Sequence, residues 1–159
     1  SSGVQAHENT TWKRGLTMSE KNSSELRNLT REECIELLQH NSFGRFAVVI
    51  DGRPTIFPVN YSYDHEGLVI RTAPGKKLDQ APLSSVAFEI DDADPTGKWG
   101  WSVVVQGPCF DVTSSIDELS EAARSLPLNP WVPGSHEHWL RIPVHEVTGR
   151  AFGIALPED

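Results

Sequence analysis

The run GRFAVVIDGRPTIFPVNYSYDHEGLVIRT, residues 44–72, constrains this chain more than any other stretch. Residues 45–50 are rich in β-branched and apolar side chains, and Asp51-Gly52 is a strong tight-turn pair. Residues 55–63 form a second extended segment. Pro58 has no N–H to give a ladder, so it belongs at an edge, a bulge or an opening. Residues 64–67 turn the chain again, and 68–72 extend once more. Three strands joined by such turns make an antiparallel meander.

The rest is read around that meander. Thr30 followed by Glu33 is a capping box, and Cys34, Leu37 and Leu38 then share one helical face, so a helix is expected from Thr30 to near Asn41. A short helical piece is expected around Lys76–Leu83. In SVAFEID, residues 85–91, Val86, Phe88 and Ile90 alternate with Ala87, Glu89 and Asp91. A long strand is expected from Trp101 to Val112, broken at Gly107-Pro108. Ser115 and Glu118 read as a second capping box, opening a helix that runs to about Leu126 with Ile116, Leu119, Ala123 and Leu126 on one face. HWLRIPVHEVTGRAFG, residues 138–153, closes the chain as one or two strands. Strands come in runs without strict βαβ alternation. The expected fold is therefore mainly β (α+β), an antiparallel barrel of about six or seven strands with two or three peripheral short helices. Residues 1–28 are polar and without sustained period, and are read as a flexible arm preceding a domain at 29–159.

Composition bounds the function. The formal charge is −8, which argues against nucleic acid as a partner, since phosphate neutralisation needs a basic face. No apolar run is long enough for a membrane span. Cys34 and Cys109 show no metal-ligand spacing, which suits a reduced, cytoplasmic protein.

Against that acidity, VIRTAPGKKLDQ is a local exception. Arg71 offers a planar fork of donors, Thr72 a hydroxyl, and Lys76 and Lys77 mobile charges, while Gly75 permits close backbone approach. This suits a terminal phosphate; a solvated lysine turn is the competing reading. FPVNY, residues 57–61, exposes backbone beside a proline, so Phe57, Pro58, Val59 and Asn60 suit a flat heterocycle, or else an ordinary edge strand. In GWSVVVQG, Trp101 faces opposite to Ser102 and Gln106; the Trp could stack on a ring and the Gln bond to it, and a core strand with a surface Trp is the competing reading. His136, His138 and His145 lack a third close ligand, so no metal site is assigned. No nucleophile–base pair declares itself, so any reactive centre would be borrowed from a cofactor.

In order and spacing, LTREECIELL, FGRFAVVIDGRPTIFPVNYSY, GLVIRTAPGKKL, SVAFEID, GWSVVVQG and HWLRIPVHEVTGR resemble the pyridoxamine 5′-phosphate oxidase-like flavin-binding split-barrel family, in its branch related to nitroimidazole-resistance proteins. The resemblance covers roughly residues 29–153. It implies a split β-barrel homodimer with FMN at the subunit interface. Arg71, Thr72, Lys76 and Lys77 would hold the flavin phosphate, and Phe57, Pro58, Val59 and Asn60 would line the ring. Trp101, Ser102 and Gln106 would form the next wall, with Trp139 and Arg141 near the flavin, often from the second subunit. The implied activity is hydride transfer from a reduced nicotinamide through flavin to an unknown small acceptor. The alternatives are a deazaflavin-dependent reductase, a non-catalytic flavin or haem/tetrapyrrole binder, and an interaction barrel without cofactor.

Overall fold

The computed structural model describes residues 17–18, 25–72, 85–130 and 138–155. Their elements are β1 (Thr17–Met18), β2 (Arg27–Asn28), α1 (Arg31–Gln39), β3 (Phe43–Ile50), β4 (Arg53–Asp64), β5 (Gly67–Thr72), β6 (Ser85–Ala93), β7 (Gly100–Pro108), β8 (Phe110–Asp111), α2 (Glu118–Arg124), β9 (His138–Pro143), β10 (Glu146–Phe152) and β11 (Ile154–Ala155). The fold is mainly β and antiparallel with two short helices, the class expected. The strand count is higher than six or seven: nine strands form the larger set and two more pair separately. The surplus is in β1, β2, β8 and β11, each two residues long, too short to show alternation in a sequence. Among the described residues, no helix is long and apolar enough to cross a membrane.

The chain divides into two compact units, one drawn from 1–41, 91–103 and 148–159, the other from 42–90 and 104–147. Strands β6 and β7 run through both. In the first unit the strand order is β2-β10-β7-β6. Here α1 starts at the expected capping box, with Thr30 Oγ1 accepting from Glu33 N at 3.3 Å and Glu33 Oε1 accepting from Thr30 N at 2.9 Å. Cys34, Leu37 and Leu38 form its buried face. Leu29 N donates to Gly149 O at 2.8 Å. A Cβ on Gly149 would lie 2.8 Å from Cys34 Sγ, so the helix packs there because that residue has no side chain.

In the second unit the order is β7-β6-β3-β4-β5-β9-β8. The first hairpin turns at Asp51 and Gly52 with φ of 51° and 75°, the double left-handed turn that this dipeptide favours. The second turns at His65 and Glu66, φ 46° and 58°, although neither is a glycine. Val86, Phe88 and Ile90 are buried as the alternation requires, and Tyr61 stands edge-on to Phe88 with ring centroids 4.8 Å apart. On the other side of β5 and β9, Val69, Val112, Ala123, Leu128 and Trp139 form a second apolar cluster under α2. That helix corrects the sequence reading. Its N-cap is Asp117, whose carboxylate accepts from Ser120 N at 3.0 Å, and it ends at Arg124. Asp117 wins because a carboxylate caps as well as a serine and also suits the positive helix end. Ser115 instead gives its carbonyl to Arg124, and Ile116 is left 88% exposed outside the helix.

Candidate functional site

The site is set by where β4 and β5 part. Their register runs from Asp64↔Gly67 to Tyr61↔Ile70. At that point both chains turn their next side chains onto one loop: Asn60 Nδ2 donates to Asn129 O at 3.3 Å, and Arg71 Nη1 donates to Leu128 O at 2.9 Å. Arg71 also stacks on its cross-strand partner Trp139, with Cζ 5.1 Å from the ring centroid. Three residues chosen from separate motifs, Asn60, Arg71 and Trp139, thus converge on Leu128–Asn129.

Directly opposed residues on antiparallel strands point to the same face. Thr72 is opposed by His138, so the two share a face at the open end of the β5–β9 pair. Thr72 is 5% exposed, and among the described residues its Oγ1 has no hydrogen-bond partner. His138 Nδ1 lies 3.0 Å from Asp111 Oδ2. Asp111 also accepts from Thr113 N at 2.9 Å, and Thr113 Oγ1 accepts from Trp139 N at 3.0 Å. Burial works to raise the Asp111 pKa, but the hydrogen bonds from Thr113 and His138 outweigh it and hold the carboxyl below its usual range.

Arg141 shares the face of Val69. Its Nη2 donates to His65 O at 2.5 Å, and its guanidinium occupies the space a side chain on Gly67 would take, since a Cβ there would lie 2.6 Å from Cζ. Arg141 is 8% exposed, and among the described residues its buried Nη1 has no hydrogen-bond partner.

Along β4, Val59 is buried, Phe57 and Asn60 are half-buried, and Pro58 is exposed. Tyr61 N donates to Ser42 O at 2.9 Å. In the unbroken β3–β4 register, odd-numbered residues of β4 therefore aim their N–H at β3, and Pro54 and Pro58 aim their ring nitrogens away. Pro58 costs the ladder nothing. Among the described residues this half of β4 has β3 alone as neighbour. Of the three options the sequence left open for Pro58, the edge is the one seen among the described residues.

Trp101 and Ser102 lie in the other unit. They line a cleft of about 390 Å³ with Asp91, Asp92, Arg150 and Phe152 among others. Gln106 is exposed on β7. Lys76, Lys77, His136 and the helical piece expected at 76–83 lie outside the described residues. His145 is exposed. Among the described residues no group of three or more His, Cys, Asp or Glu is arranged to hold a metal. The pairing of Asp111 with His138 and the carbonyls of Leu128 and Asn129 carry no signal in the sequence, because each depends on a contact between distant segments. Gly67 was visible only as a turn residue.

A family model described as pyridoxamine 5′-phosphate oxidase matches residues 30–151. The uncharacterized protein Rv0080 of Mycobacterium tuberculosis is 33% identical over 137 residues, covering 82% of this chain and 88% of its own. The structure of an FAD binding protein from Mycobacterium smegmatis is similar with a TM-score of 0.64 at 35% identity, covering 79% of this chain and 96% of that one. A FAD-binding protein from Mesorhizobium loti is similar at 25% identity and a TM-score of 0.63, covering 82% and 98%.

Proposed function

Because the chain belongs to the pyridoxamine 5′-phosphate oxidase family, we propose that it binds a flavin nucleotide and serves as a flavin-dependent oxidoreductase. The observation that carries this reading is the buried hydroxyl of Thr72, which has no hydrogen-bond partner among the described residues, at the start of the segment that continues to Lys76 and Lys77. A buried hydroxyl without a partner is costly. A phosphate oxygen arriving there would relieve that cost, and the following lysines would add charge. The donor set fits a phosphate, and the acidic net charge leaves the selection to short-range contacts.

A bound flavin would supply two-electron hydride chemistry, accepting from a reduced nicotinamide and delivering to a small acceptor. The chain's own residues would bind and orient it. Thr72 would anchor the phosphate end with the lysines that follow it, Arg71 would brace β5 from the opposite face through Trp139 and Leu128, and Phe57, Pro58, Val59 and Asn60 would offer the exposed strand edge to the ring. The sequence alone favours FMN. The two flavin-binding neighbours described above bind FAD by name, which favours FAD. A homodimer is part of the proposal. Phe43, Val49 and Ile56 are exposed on one face of β3 and β4, at 39%, 52% and 67%, and a second copy would cover them.

The test is to purify the chain and identify any flavin released on denaturation, then titrate the apoprotein with FAD, FMN and the deazaflavin coenzyme. Tight flavin binding that is lost in the Lys76→Ala/Lys77→Ala double variant supports the phosphate anchor. Binding of the deazaflavin alone would replace the flavin reading. Binding of none of the three would end it.

A further inference from the structure

The first unit has a face of its own, defined by what lies over its glycines. A Cβ on Gly149 would meet Cys34 Sγ at 2.8 Å, so that side of β10 is turned to α1. A Cβ on Gly100 would meet the Phe152 ring at 2.8 Å and Ala93 Cβ at 3.5 Å, so Phe152, Gly100 and Ala93 share one side. Side chains alternate along a strand. Arg150 therefore joins Phe152, away from Gly149, while Ser102 joins Gly100 on β7 and Asp91 joins Ala93 on β6. Asp94 N donates to Trp99 O at 2.9 Å; the same register, continued, sets Asp91 opposite Ser102. Arg150, Ser102 and Asp91 all line the cleft of about 390 Å³, together with Phe152 and Leu26.

The charges in this cleft do not meet. The strand order β10-β7-β6 puts Arg150 and Asp91 on strands two apart, with backbones separated by about 10 Å. Among the described residues Arg150 makes no ion pair. Asp91 makes a contact of its own, but a carboxylate accepts at two oxygens and is not exhausted by one partner. The face thus offers a guanidinium, a hydroxyl and a carboxylate in a row, beside an aromatic ring.

We propose that this cleft binds a small zwitterion of the amino-acid class with an apolar or aromatic side chain. Arg150 takes the ligand's carboxylate with its planar fork, and Asp91 takes the ammonium. The Ser102 hydroxyl, which both donates and accepts, bonds to either group. Phe152 and Leu26 cover the apolar body. Ion pairs exposed to water are weak; a ligand body laid along Phe152 shields both pairs, so each charge strengthens the hold on the other. The volume lies near the lower end of small-molecule sites and suits one such ligand. This inference stands apart from the flavin reading, and it gives Ser102 a different partner from the flavin wall that the family resemblance implies.

The probe is L-phenylalanine, with phenethylamine and phenylpropionate as controls that each carry one of its two charges. Binding to the full chain is measured by saturation-transfer NMR at about pH 7, where all the groups concerned are ionised. L-phenylalanine is expected to bind roughly tenfold more tightly than either control. Arg150→Gln should lower it to the level of phenethylamine and leave phenethylamine unchanged. Asp91→Asn should lower it to the level of phenylpropionate, and Arg150→Lys should retain part of the wild-type affinity. Circular dichroism checks each fold; if Asp91→Asn unfolds, the Arg150 variants decide alone. No binding of L-phenylalanine, or equal binding of all three probes regardless of the charge variants, would overturn the proposal. Displacement of L-phenylalanine by riboflavin would assign the cleft to the flavin and overturn it too. L-phenylalanine bound by a chain that takes up no flavin would end the flavin reading and keep this one.

Discussion

Arg71 Cζ lies 5.1 Å from the centroid of the Trp139 ring while Nη1 donates to Leu128 O at 2.9 Å. One guanidinium therefore ties three segments together: β5, β9 and the chain after α2. Removing it loses a cation–π contact and a hydrogen bond to a buried carbonyl. Arg71→Ala is expected to lower the unfolding free energy by about 1–3 kcal/mol. Arg71→Lys keeps the charge but not the planar fork, and should fall between. Urea unfolding of the three proteins checks the order; a lysine variant as stable as wild type would show that charge alone suffices.

The guanidinium of Arg141 fills the space over Gly67. Gly67→Ala would push a methyl into it and break the bond to His65 O, in a turn that already holds two non-glycine residues at positive φ. The expected cost is about 1–3 kcal/mol, the usual penalty for overpacking. If the alanine variant melts with wild type, Arg141 is not held against this turn.

Burial pushes the Cys34 thiol up to about 11 and the Cys109 thiol up to about 12, from 9.0. Burial also raises the Tyr61 phenol. Each group stays protonated in the fold at a pH where the unfolded chain has released the proton. Stability from these groups is complete below about pH 9 and declines from there towards pH 12. Denaturant midpoints measured across that window should fall, and thiol reagents should reach neither cysteine at neutral pH until the protein unfolds.

Thr30→Ala removes the hydroxyl that accepts from Glu33 N. Half of the capping box is lost, and α1 should weaken by about 1 kcal/mol. Thr30→Asp should retain most of the stability, as read by thermal melting of the two variants.

Ile56 is 67% exposed and sits opposite Ala47 on the outward face of β3 and β4. Ile56→Lys places a charge in the middle of the proposed subunit contact. A shift from dimer to monomer in sedimentation, with the fold retained by circular dichroism, is the expected result. A wild type that sediments as a monomer would remove the homodimer from the proposal.

Most of the fold was legible because its signals are local. Asp51-Gly52 dictates its turn, Thr30 and Glu33 cap α1, and Val86, Phe88 and Ile90 alternate into the core. The start of α2 was misread because Ser115 and Asp117 are both good caps, and the choice between them depends on where Arg124 reaches. The candidate site was legible only in part. The basic turn stood out against an acidic chain, but nothing near His138 in the sequence points to Asp111, and Arg141 is indistinguishable from a surface arginine until Gly67 is seen beneath it.

The prolines of β4 have a consequence for the protein's behaviour in a crowded solution. An unpaired strand edge invites another chain to add alongside it, which is how sheets aggregate. Pro54 and Pro58 both direct their ring nitrogens to the side away from β3. Donors that an incoming strand would need are therefore missing at alternate positions of its register. Replacing both prolines would leave every bond to β3 in place and would open this edge to strand addition between molecules.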